Sequence, residues 1–198
     1  PEAYGPWQSV YARFAKWRDD GTLEAIFRAL SADADMENLS LDSTCIKVHE
    51  SANGGGKRQI GQLGEPEAVE HKAAHIVDGL GNPIEFMLSA GNDHDSVHAV
   101  ELLEKVEISG SNASADQAYE AKTIRAYISE QGTSYVIPPQ SNVSNPWPID
   151  WWLYKEQHLV ECCFQKLKWF RRIATRYDKL DASFLAFVYI AAIAILLI

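Results

Sequence analysis

Apolar residues recur along the chain in two rhythms, and the changes of rhythm mark out the elements. Trp7, Val10, Tyr11, Phe14 and Trp17 recur at helical spacing, Asp19, Asp20 and Gly21 interrupt, and Leu23, Ile26, Phe27 and Leu30 resume. The pattern predicts two short helices around a turn, which fits an ordinary helical hairpin as well as half of a helical DNA-binding module. Residues 39–49 (LSLDSTCIKVH) alternate and are rich in β-branched side chains, predicting a strand. A glycine-rich loop is expected over 50–67; it lacks the G-x-x-x-x-G-K-[ST] pattern of a phosphate cradle. Residues 73–78 and 83–89 flank Gly79, Leu80, Gly81 and Asn82, the signature of a hairpin.

Further on, residues 95–106 read as a helix and 112–116 as a short strand end. Residues 120–131 form a helix pattern with Ile124, Tyr127 and Ile128 on one face. Tyr135 to Ile137 reads as a buried strand stopped by Pro138 and Pro139. After a polar, proline-rich loop, the longest helix is expected from Trp151 to about Arg172, and a last one after Asp178. Phe184 to Ile198 holds fifteen residues without a charge. A membrane-spanning helix needs about 20, so a buried core helix is expected. The order of strand, hairpin, helix, strand, helix, strand, helix, helix predicts a mixed α/β layer fold.

At roughly 150 residues per domain, 198 residues make one domain plus an appendage. Hydrophobic and charged fractions of 46% and 23% exclude a disordered, collagenous or multi-span membrane chain. Three cysteines, two of them adjacent, are no disulfide framework and fit a reducing compartment. The sequence opens at Pro1 with no charged and apolar leader, so it reads as a fragment or processed product without a signal peptide. The net charge of −9 is uneven: residues 151–181 hold seven Lys/Arg against four Asp/Glu, and residues 1–150 hold eleven against twenty-three. An acidic body with a basic C-terminal stretch is no simple nucleic-acid binder, though that stretch can bind one locally.

Within the long helix, Val160, Cys163, Phe164 and Leu167 make the buried stripe. Tyr154, Gln157, Glu161 and Lys168 make a second stripe, whose spacing fits a solvated polar face as well as a surface aimed at a phosphate backbone. Asp42 is a charge inside a strand, and Asp116 ends a short strand just before a helix. Carboxylates at strand ends beside a helical Glu are the parts of a divalent-metal site, although spacing alone leaves their convergence open. His94 and His98 with Asp93 and Asp95 fit capping or solvation better than a metal site, and Cys162 and Cys163 fit packing better than redox chemistry.

Taken together, these segments carry a resemblance. LDST around Asp42, VDGLGNPIEFMLSAGNDHD at 77–95, SADQAYEA around Asp116, YVIPPQSN at 135–142 and YKEQHLVECCFQKLKWFRRIATRYDKL at 154–180 resemble the bacterial insertion-sequence DDE transposases of the IS-four/IS-five superfamily. The last segment is similar to the family signature Y-x2-R-x3-E-x6-K, written here with Tyr154, Gln157, Glu161 and Lys168. The resemblance implies a ribonuclease H-like mixed sheet flanked by helices over 39–198, preceded over 1–38 by a remnant of an N-terminal helical DNA-binding region. It implies Asp42, Asp116 and Glu161 as the catalytic triad, holding two Mg²⁺ ions for which Mn²⁺ can substitute. It implies DNA contacts by Tyr154, Gln157, Lys168, Lys57, Arg58, Arg171 and Arg172. The implied activity is cleavage of double-stranded transposon ends and strand transfer into target DNA. The implied setting is a homo-oligomer on DNA, without a membrane, in the bacterial cytoplasm at the nucleoid.

The departures from the family all remove positive charge. The signature Arg is Gln157, the usual basic neighbour of the second Asp is Gln117, and the usual Gly- and Arg-rich stretch is GQLGEPEAVEHK, with Glu65 and Glu67. Each lost cation weakens phosphate binding. A second reading therefore stands beside the first: a weakened or inactive transposase-derived remnant that acts as a binding protein.

Overall fold

The computed structural model describes residues 2–52 and 71–198. Helices α1 (Trp7–Asp19) and α2 (Thr22–Leu30) form the expected hairpin, with Gly21 at φ 76° making the turn between them. Strand β1 (Asn38–Val48) pairs antiparallel with β2 (His71–Val77), which pairs antiparallel with β3 (Pro83–Ala90). The β2–β3 turn is held by the Asp78 carboxylate, which accepts from the Leu80 and Asn82 N–H groups. A short helix α3 (Ala99–Leu103) leads to β4 (Asn112–Ala115), then α4 (Lys122–Glu130) and β5 (Ser134–Val136). Strand β4 lies parallel to β1 on its other side, and β5 lies parallel to β4. The sheet order is β3-β2-β1-β4-β5, a mixed sheet flanked by helices as the resemblance implied.

The long helix expected over 151–172 is in pieces. Asp150 starts α5 (Trp151–Tyr154) by accepting from the Trp152 and Leu153 N–H groups. Residues 155–157 tighten to a 3₁₀ turn, and α6 (His158–Lys168) follows without a change of direction. Trp169 and Phe170 end it, because α7 (Arg171–Ala174) must return the chain to β6 (Thr175–Arg176), which pairs with Lys47 and Val48 at the far end of β1. The predicted helix 95–106 likewise becomes a 3₁₀ turn at Asp95–Val97 and the single turn-and-a-half of α3.

Two apolar cores lie on the two faces of the sheet. Leu39, Leu41, Ala74 and Ile76 face α3 and α4. Ile46, Ala73, Val77 and Phe86 face α6 and the last helix, α8 (Asp181–Leu196), with Val160, Cys163, Phe164 and Leu167 as the stripe predicted for α6. Phe184, Ala186, Val188, Tyr189, Ala191 and Ala192 of α8 are buried there, as expected for its apolar run. Among the described residues no helix is long and apolar enough to cross a membrane. The expected boundary at residue 38 falls at the first residue of β1, and Leu23 and Phe27 of α2 belong to the same core as α6 and α8. Phe27 sits 5.4 Å from Phe86 and 5.3 Å from Tyr189, ring centre to ring centre.

Candidate active site

The register of the sheet sets two carboxylates side by side. Leu41 and Ala115 are partners in the parallel β1–β4 ladder, and the next residue on each chain is Asp42 and Asp116. Asp116 leaves the end of β4 and caps the turn at Gln117–Tyr119, its Oδ1 accepting from the Ala118 N–H at 2.9 Å. Asp42 remains in β1, half-buried, and its Oδ1 accepts from the Ser43 N–H at 2.7 Å. Above them runs α6, with its apolar stripe on the core and Glu161 left exposed. Burial and then the charges of Asp116, Asp95 and Glu161 push the Asp42 carboxyl up to about 6. Burial, then the charge of Asp95, raises Asp116 as well. The half-buried Tyr154 phenol is raised by burial and then by Asp116, Glu161 and Asp42. Asp42, Asp116, Glu161 and Tyr154 therefore share one electrostatic neighbourhood.

Asp95 joins that neighbourhood, which sequence reasoning missed. Its Oδ1 accepts from the Ser43 hydroxyl at 2.6 Å and from Lys72 Nζ at 2.9 Å, and Lys72 also donates to the Asp93 carbonyl at 2.7 Å. The available signal was Lys72, a cation in an otherwise buried β2, which calls for a nearby carboxylate. The histidines grouped with Asp95 in the sequence go elsewhere: His98 Nε2 lies 3.1 Å from Asp93 Oδ2.

The residues expected on DNA divide. Lys168 Nζ donates to Thr44 Oγ1 at 2.7 Å, two residues along β1 from Asp42. Arg171 and Arg172 are exposed on α7; Arg172 pairs with Asp178 at 3.0 Å and lies over the Phe187 ring at 4.5 Å. Lys57, Arg58, Glu65 and Glu67 lie outside the described residues. Gln157, also expected on DNA, is buried. Only 8% exposed, it donates from Nε2 to the Leu41 carbonyl at 2.9 Å, and its Oε1 accepts from the Ser114 hydroxyl at 3.0 Å. The spacing that put it on a DNA-facing stripe could not show the strands beneath, where a carbonyl and a hydroxyl engage the two ends of its amide. Gln117 is exposed, and its Nε2 donates to the Pro139 carbonyl at 2.9 Å.

The donors of Asp42, Asp116 and Glu161 are all hard carboxylate oxygens, the chemistry that suits Mg²⁺ or Mn²⁺. Among the described residues none of the three is in an ion pair, so no side-chain cation offsets their charge at close range. Among the same residues, no three His, Cys, Asp or Glu side chains stand in an arrangement able to hold a metal ion. The three carboxylates thus fit a divalent cation in donor type and charge, but not in their arrangement.

Comparison with known proteins gives the chain's family. Residues 33–145, more than half of the chain, match the family described as the transposase DDE domain. That span contains Asp42 and Asp116 and ends before Glu161. A Brucella ovis protein called "putative transposase for insertion sequence element IS6501" is 39% identical over 120 residues, covering 59% of this chain and 89% of its own. An uncharacterized protein of Sinorhizobium fredii, y4sN, is 32% identical over 63 residues, covering 32% of this chain and 50% of its own. Two solved structures are more distant. The piggyBac transposase synaptic complex with hairpin DNA has a TM-score of 0.37 at 17% identity, covering 55% of this chain and 24% of its own. The Mos1 mariner paired-end complex with Mn has a TM-score of 0.34 at 13% identity, covering 90% and 59%. The chain therefore spans 89% of the IS6501 relative, 50% of y4sN, 24% of the piggyBac chain and 59% of the Mos1 chain. On the family match and the IS6501 relative together, this chain belongs to the transposase DDE domain family.

Proposed function

We propose that the chain is the catalytic domain of an insertion-sequence transposase, cutting transposon ends and joining them to target DNA. The observation that supports this is the Asp42 carboxyl, raised by burial and by Asp116, Asp95 and Glu161 in a chain of the DDE family. A protein keeps half-buried carboxylates crowded at a cost to its stability, and such crowding is typical of functional sites. Asp42, Asp116 and Glu161 would hold divalent metal ions. When bound, the ions supply the charge that activates the attacking oxygen and stabilises the leaving one at a phosphodiester. Tyr154 borders the site, and Lys168, pinned to Thr44, sets a positive charge along β1 for a phosphate. Double-stranded DNA is the substrate in this reading, bound by an oligomer of the chain in the bacterial cytoplasm.

A second reading, a remnant that binds DNA or protein without cutting, is favoured by Gln117, an exposed amide beside Asp116 where the family is usually basic. Labelled duplex DNA separates the two. The first reading expects nicking that requires Mg²⁺ or Mn²⁺ and disappears in Asp42→Asn and Glu161→Gln. Nicking that persists in either variant or under chelation would remove it, and DNA binding without any nicking would leave the remnant.

A further inference from the structure

Three elements carry the triad, and one buried amide touches all three. Gln157 precedes Glu161 by one helical turn on the 3₁₀ segment that enters α6. Its Nε2 donates to the carbonyl of Leu41, the residue before Asp42. Its Oε1 accepts from Ser114, two residues before Asp116. Ser114 is the ladder partner of Ser40, and their hydroxyls lie 2.9 Å apart; Ser114 Oγ also lies 3.2 Å from the Leu39 carbonyl. Ser40, Ser114 and Gln157 are each less than a tenth exposed.

We infer that Gln157 is a positioning residue: its side chain ties together β1, β4 and the start of α6, the elements that carry Asp42, Asp116 and Glu161, instead of contacting DNA. The inference rests on the triad reading given above. The amide suits the task because it offers an acceptor to Ser114 and a donor to Leu41 at once. A guanidinium has donors only, so it leaves the Ser114 hydroxyl without that acceptor and brings a charge into a buried seam. Loss of a partner that orients metal ligands typically lowers metal affinity by about 10–100-fold.

The test uses the full chain with Mn²⁺ alone, read by titration calorimetry beside thermal unfolding. The variants are Gln157→Met, which keeps the volume without the hydrogen bonds, and Ser114→Ala, which removes the Oε1 contact together with those to Ser40 and the Leu39 carbonyl; Asp42→Asn is the control. We expect Gln157→Met to weaken Mn²⁺ binding by about 10–100-fold and Ser114→Ala by a smaller factor, both while still folded. A folded Gln157→Met or Ser114→Ala chain pair with unchanged Mn²⁺ affinity would overturn the inference. So would Gln157→Arg raising metal-free affinity for duplex DNA about tenfold or more, the result expected of a phosphate-contacting position. If the unaltered chain binds no Mn²⁺, the triad reading fails, and the tie is judged by unfolding of the Gln157→Met/Ser114→Ala double variant. A double loss smaller than the sum of the single losses upholds the tie, and an additive loss overturns it.

Discussion

Helix α6 rests on two kinds of ground. Its C-terminal half lies on apolar side chains, where Phe164 and Leu167 meet Ile46, Ala73 and Phe86, with α8 and α2 closing the layer. Its entry and first turn lie over a polar seam, where Gln157 meets Ser114 and the Leu41 carbonyl, and Glu161 shares the field of Asp42. The first region is held by burial, which is non-directional and tolerant of detail. The second is held by hydrogen bonds whose donors and acceptors must be matched one by one, beside carboxylates that repel each other. The contrast teaches that in this chain stability and chemistry are adjacent but drawn from different ends of one helix.

The largest effect expected is on the apolar side. Phe27→Ala removes a ring that is 1% exposed and links α2, β3 and α8. It should lower unfolding free energy by about 3–5 kcal/mol in denaturant titrations. A loss under about 1 kcal/mol would mean that the N-terminal helices are an independent appendage, as the division at residue 38 supposed.

Asp42→Asn should act with the opposite sign. The folded carboxyl holds its proton up to about pH 6, higher than the ordinary 3.8. That favours the folded state in acid, and the advantage is lost as pH rises from about 4 through 6. At pH 8 the variant should therefore be more stable by about 1–2 kcal/mol, allowing for the partial exposure of the site, and the gain should vanish below about pH 4. Equal stability of both chains at pH 8 would show that crowding at the seam costs nothing.

Lys168→Met cuts the bond to Thr44 and should cost about 1 kcal/mol. Its larger consequence should be weaker binding of duplex DNA at low salt. Smallest of all, Arg172→Ala removes an exposed ion pair with Asp178 and should change stability by under about 0.5 kcal/mol. If Arg172 meets a phosphate, the slope of log affinity against log salt should also fall by about 1. An unchanged slope would keep Arg172 with the packing of α8, through Phe187, rather than with DNA.

The sequence by itself determined the order of elements, because each buried face repeats along its own segment: the alternation of β1, the Gly-Asn turn after β2, the stripe Val160, Cys163, Phe164 and Leu167, and the charge-free run of α8. It also carried the motifs that distinguish Asp42, Asp116 and Glu161, although their approach to one another depended on the parallel register of β1 and β4 and the crossing of α6. Only the tertiary structure decided what the polar side chains between those landmarks do. Periodicity reports which face of an element is buried, not which polar group on another element waits there. The same spacing that put Gln157 and Lys168 on one stripe therefore could not tell that the first is sealed between two strands and the second is pinned to Thr44. Nor could it tell that Asp95, fifty-two residues from Ser43, would close over the same strand. Those partners lie far apart in the chain, and only the folded sheet brings them within hydrogen-bond reach.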